Sequence, residues 1–182
     1  MESTTVFVTY NPGNSQEQTI AARLHTIGAV SGFRMYMPDR FNSETVLDNE
    51  TKRRINQSDY VVMFSMGKLS TIVKHEIETA FKHIGDKSKI IIIYDKHKGK
   101  NLKSEITNYF TPFYFDKYHN KQDELLKAVI NTIFHKEKNE IINKQEGVIR
   151  KLNKEISDAS AISALLGVGL GLLILGVLGS RR

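Results

Sequence analysis

The stretch DYVVMFSMGKLSTIVKHEIETAF, residues 59–81, constrains the fold more than any other part of the chain. Its opening run, Tyr60-Val61-Val62-Met63-Phe64, is apolar, rich in β-branched and aromatic side chains and too short for an ordinary helix. It predicts a buried strand. Ser65-Met66-Gly67-Lys68 breaks the run, and Ser70 or Thr71 can cap a helix with Val73, Ile77, Ala80, Phe81 and Ile84 on one face. A buried strand, a short polar loop and a helix N-terminus form the junction at which open α/β sheets hold ligands. On that helix Glu76 stands one turn after Ile72 and one turn before Ala80, on the flank of the apolar face. Glu78 points further towards solvent.

The flanking segments repeat the pattern. Val6-Phe7-Val8-Thr9-Tyr10 predicts a first strand, stopped by the turn-forming Asn11-Pro12-Gly13-Asn14. Asn14 or Ser15 caps the next helix, with Ile20, Ala21, Leu24 and Ile27 on one face and Gly28 expected to end it. Phe33-Arg34-Met35-Tyr36-Met37 is a second strand, followed by the polar Pro38-Asp39-Arg40-Phe41-Asn42-Ser43. A short charged helix, residues 48–55, leads into the central strand. Lys89-Ile90-Ile91-Ile92-Ile93-Tyr94 reads as a parallel strand covered on both faces. Residues 108–115 supply the last strand, which Pro112 makes late-starting or an edge. Residues 122–134 form an amphipathic closing helix. Strands alternating with helices predict a parallel sheet with helices on both faces, a flavodoxin-like three-layer α/β domain over residues 1–135.

The remaining chemistry is bounded by what the chain lacks. Among 182 residues there is no cysteine, which excludes disulfides, thiolate metal sites and a thiol nucleophile. The six histidines show no metal-ligand spacing, and no glycine-rich phosphate loop or nucleophile elbow opens a helix. The net charge of +6 is not gathered into one basic face, so nucleic acid is not an expected partner. Nothing at the start resembles a signal peptide.

The strand ending in Ser65, the short loop, and a helix beginning Ser70 with Glu76-Ile77 six and seven residues on resemble the third strand and following helix of Toll/interleukin-1 receptor (TIR) domains. Val6-Phe7-Val8-Thr9-Tyr10 resembles their opening strand. The likeness covers roughly residues 5–134. It implies that Glu76 is the catalytic residue of NAD⁺ cleavage, with Tyr10, Asn11, Asp39, Ser65 and Ile72 around the substrate. NAD⁺ would be a substrate rather than a resident cofactor, and no metal is implied. Residues 38–43 would be the loop that TIR domains use for self-association and ligand access.

After His135 the composition changes. Residues 136–158 carry six basic and five acidic side chains. Ile142, Ile149 and Ile156 recur every seven residues, with Leu152 and Ala159 in the other seam position. They predict a helical stem, either self-pairing or a solvated linker. The 21 residues from Ala159 to Gly179 hold no charge and seven leucines. As a helix they would span about 31 Å, the thickness of a bilayer's hydrocarbon core. Ser163, Gly167 and Gly171 are spaced for close helix approach. The expected topology is a tail-anchored membrane protein with its N-terminal domain cytoplasmic and a short basic end, residues 180–182.

Two functional readings follow. In one, a membrane-anchored TIR-like enzyme cleaves NAD⁺, or makes a signal from it, once its domains cluster; the resemblance implies a role in immune or antiviral defence. A nucleoside deoxyribosyltransferase-like enzyme is a related option. In the other, the domain is a non-catalytic sensor or adaptor. Nucleotide binding or a partner TIR protein would then drive assembly and bring the tails together to disrupt the membrane. Ile72 and Val73, where enzymatic members usually carry Trp-Cys, and Asn11, where they often carry a basic residue, favour the second.

Overall fold

The structure is a computed structural model describing residues 3–39, 46–97, 109–116 and 121–158, the last six by backbone only. It divides into two compact units, Met1–His135 and Lys136–Arg182.

The first unit is built on a five-stranded, wholly parallel sheet of order β2-β1-β3-β4-β5. The strands are β1 (Thr5–Thr9), β2 (Arg34–Tyr36), β3 (Tyr60–Ser65), β4 (Ile90–Asp95) and β5 (Thr111–Phe115). Helices α1 (Ser15–Val30), α2 (Asn49–Asn56), α3 (Thr71–His83) and α4 (Gln122–Asp158) complete the described elements, with one 3-10 turn before β4. This is the flavodoxin-like parallel layout that the alternating pattern predicts. β1, β3 and β4 are buried throughout, as their near-continuous apolar runs require. β5 starts at Thr111 and pairs on one side only, so Pro112, which lacks an N–H, costs the sheet no bond on its outer side.

Alternation along the strands sends side chains to two separate cores. In the first, Val6, Val8, Val62, Phe64 and Ile91 pack with Ile20 and Leu24 of α1 and with Leu126, Val129 and Ile133 of α4. In the second, Phe7, Val61, Met63, Ile90, Ile92 and Tyr94 face Ile55 of α2 and Ile72, Val73 and Ala80 of α3. Thr9 and Ser65 are the polar ends of this second face, by the same alternation.

Three helix starts follow from side-chain caps. Asn14 accepts from the N–H groups of Gln16 and Glu17, Asp48 from Thr51, and Ser70 from Val73. The end of α1 differs from expectation. Gly28 does not terminate it; the helix runs to Val30. Gly28 is buried instead, at a position where a Cβ would meet the Met35 Sδ at 2.4 Å. The terminating glycine is Gly32, at φ +92°. Its N–H returns to the Ala29 carbonyl and the Phe33 N–H to that of Gly28, satisfying two carbonyls left open at the helix end.

In the second unit α4 is helical through Asp158, with Ile142, Val148, Ile149 and Leu152 exposed. The sequence reading separates a closing helix from a stem at residue 135; the helix is continuous there because no glycine or proline interrupts residues 122–146. Among the described residues no helix is long and apolar enough to cross a membrane. The expected span, residues 159–179, and the seam position Ala159 lie outside the described residues, as do residues 40–43 of the expected access loop.

Candidate active site

In a sheet of this order the connections after β1 and β3 leave in opposite directions. β1 feeds α1 on one face; β3 feeds α3 on the other. The crevice between their carboxyl ends is the position at which such sheets bind ligands. A cleft of about 480 Å³ lies there, lined by Asn11, Pro12, Gly13 and Asn14 from the first loop and Gly67, Lys68 and Ser70 from the third.

Two buried carboxylates flank the crevice, one on each face of the sheet. Glu76 is 1% exposed and shares the buried face of α3 with Ile72, Val73 and Ala80. The flank position expected from spacing is thus corrected: residues 72, 76 and 80 fall on one line of the helix, and the helix packs along that line. The Thr9 hydroxyl, at the last position of β1, donates to Glu76 Oε2. A polar pair is therefore set into an otherwise apolar layer. Ser65 ends β3 on the same face, fully buried, and its Oγ has no hydrogen-bond partner among the described residues. Glu78 is exposed.

The second carboxylate, Glu17, is fully buried in the first turn of α1. Its Oε2 accepts from the Asn11 N–H at 2.7 Å and its Oε1 from the Met66 N–H at 2.9 Å. Burial pushes its pKa above the ordinary carboxylate value, and the two backbone donors offset part of that rise. The sequence reading missed Glu17. The signal was present: Glu17, Ala21, Leu24 and Gly28 follow helical spacing on one buried face, so an acid occupies a core position.

Of the residues expected around the substrate, Asn11, Ser65, Ile72 and Glu76 gather at the ends of β1 and β3. Asn11 is 5% exposed, and its side chain joins the two loops: Oδ1 accepts from the Ser70 N–H at 2.7 Å and Nδ2 donates to the Lys68 carbonyl at 3.0 Å. Ile72 is packed in the α3-side core. Tyr10 belongs to the opposite core, against α1, because the residue after Thr9 points the other way. Asp39 lies beyond the end of β2, exposed, its N–H donating to Thr51 Oγ1 at 3.3 Å. The base of that connection is held to α2, where an Arg54 guanidinium nitrogen donates to the Met37 carbonyl at 2.7 Å.

These observations define a class: a parallel α/β domain of flavodoxin-like order with a buried carboxylate and its hydroxyl partner at the switch point. No family model matches the chain, and no curated protein matches it. Solved structures similar to it include the CMP N-glycosidase BcmB of Clostridium botulinum, at 20% identity and TM-score 0.45, covering 69% of this chain and 97% of that one. A flavodoxin-like domain from a Synechococcus protein matches at 14% identity and TM-score 0.47, covering 68% and 92%. The TIR domains of the activated Roq1 resistosome, which recognises the pathogen effector XopQ, match at 15% identity and TM-score 0.41, covering 99% and 100%.

Proposed function

We propose that the domain formed by residues 1–135 cleaves an N-glycosidic bond of a nucleotide, with NAD⁺ as the substrate and Glu76 as the catalytic carboxylate. The observation that carries this reading is the Thr9–Glu76 pair, buried at the carboxyl end of β1. Hydrolysis of NAD⁺ breaks the bond between the nicotinamide nitrogen and the ribose carbon. Water supplies the new oxygen, and nicotinamide, ADP-ribose and a proton leave. The difficult point is the oxocarbenium-like ribose. A carboxylate held in a largely dehydrated setting can stabilise that centre or hold the ribose hydroxyls. Thr9 orients the carboxylate, and burial in an apolar layer strengthens its action at short range.

Glu76 is almost fully covered, so a substrate reaches it only through a rearrangement of its surroundings. Assembly through the TIR-like domain, the stem and the tail would supply that movement. The exposed Ile142, Ile149 and Leu152 of α4 are consistent with a stem that pairs. In this reading residues 159–179 anchor the chain in a membrane with the domain in the cytoplasm, and the role is defence. The test is product analysis with the clustered full chain: nicotinamide from NAD⁺ supports the reading, and free nucleobase from nucleosides instead would point to a deoxyribosyltransferase-like activity.

The second reading, a non-catalytic sensor or adaptor, is favoured by the same burial of Glu76 together with Ile72 and Val73 in the place of Trp-Cys. A nucleotide or a partner TIR protein would then drive assembly, and the clustered tails would act on the membrane. Dye leakage from liposomes that survives Glu76→Ala supports this reading; leakage lost with NAD⁺ cleavage contradicts it.

A further inference from the structure

The switch-point cleft has two walls from distant parts of the sequence, and one side chain holds both. Glu17 reaches from α1 to the Asn11 N–H in the loop after β1 and to the Met66 N–H in the loop after β3. Asn11 extends the join to Lys68 and Ser70. Both N–H groups are donors, so both carboxylate oxygens must accept. An ionised carboxylate does this with both oxygens; a protonated one keeps its carbonyl oxygen for one donor and offers the other only a weakly accepting hydroxyl oxygen, so one of the two bonds is weakened. We infer that Glu17 is a positioning residue of the cleft, whose ionised form clamps the loops after β1 and β3 in a single geometry and whose protonation releases one of them. The function of the clamp rests on the cleft being the site of nucleotide chemistry, as proposed above.

The surroundings make this proton event separable. Glu17 is fully buried and its pKa is raised, first by burial. The side chains that act on it besides the backbone donors are the neutral Asn11 and Asn14. Tyr10 lies in the core on the same side of the sheet. Of the ionisable groups on the packed elements, Lys68 after β3, Arg23 on α1 and Asp123, Glu124 and Lys127 on α4 are exposed, His25 on α1 is half-buried, and Arg23 pairs with Asp123 at 2.7 Å. The two backbone donors mark the ionised form as the clamped one; with the folded pKa raised above 4.5, the clamp is intact above the raised value and opens as pH falls through it.

The experiment is amide NMR of the ¹⁵N-labelled full chain across pH, beside nicotinamide release from NAD⁺ over the same range. The Asn11 and Met66 amides should titrate together with one pKa above 4.5, and Glu17→Gln should abolish the titration at both. Activity should fall about tenfold per pH unit below that pKa, and Glu17→Gln should lose this acid limb while Glu78→Gln keeps it. The wild-type titration needs no variant, so a Gln variant that fails to fold does not shield the inference. Amides that titrate at different pKa values or not at all would overturn the clamp. An acid limb unchanged in Glu17→Gln would overturn its part in the chemistry. Amides that titrate as stated in a chain that never cleaves NAD⁺ would support the clamp and refute the NAD⁺ reading alone.

Discussion

At the residue scale the domain is marked by polar groups placed where apolar ones would pack more simply. Thr9 is fully buried, and its hydroxyl is a donor to the equally hidden Glu76. Replacing it with valine keeps the shape and removes the donor, so Thr9→Val should destabilise the domain by about 1–3 kcal/mol, the range for losing a buried hydrogen-bond partner. Thr9→Ser should recover most of that loss, read by denaturant titration. Full stability in Thr9→Val would mean that the bond contributes nothing. That Glu76 lies at the apolar side of its helix was legible in the sequence, because it sits between Ile72 and Ala80 at one-turn spacing. Its depth was not, since period alone cannot tell the edge of an apolar face from its centre. Glu17 escaped notice because an acid in a first turn ordinarily complements the helix dipole at the surface. Only the tertiary structure brings the backbone donors of Asn11 and Met66 to it.

At the element scale the strands were the most legible, since β3 and β4 are unbroken β-branched and aromatic runs that parallel sheets bury on both faces. Helix ends were less so. Gly28 and Gly32 both stand where α1 could stop, and local composition does not say which takes a positive φ and which makes room for Met35. Gly32→Ala should therefore cost about 1–2 kcal/mol, the penalty of a side chain in the left-handed region. An alanine variant as stable as the wild type would contradict the assigned helix end. The length of α4 shows a related difficulty. Its early apolar positions pack into the core, its later ones are exposed, and the change in composition at residue 135 alters what the helix touches without ending it.

At the scale of the whole molecule a parallel α/β domain, proposed above to cleave a nucleotide, is followed in the sequence by a stem and an apolar tail. The tail is argued from sequence, and its test is independent of the chemistry. An arginine at the centre of an inserted helix costs about 2.5–3.5 kcal/mol on insertion scales, so Leu170→Arg should move the protein from the membrane fraction towards the soluble one. Extraction of the wild type by alkaline carbonate without detergent would contradict a spanning segment. The central claim concerns Glu76 and is tested most directly by nicotinamide release from NAD⁺, measured on the clustered full chain as wild type, Glu76→Ala and Glu78→Ala. The account predicts that the wild type and Glu78→Ala release nicotinamide, and that Glu76→Ala loses about a hundredfold or more of the rate while remaining folded. Equal loss in both folded variants, or none in either, would contradict it.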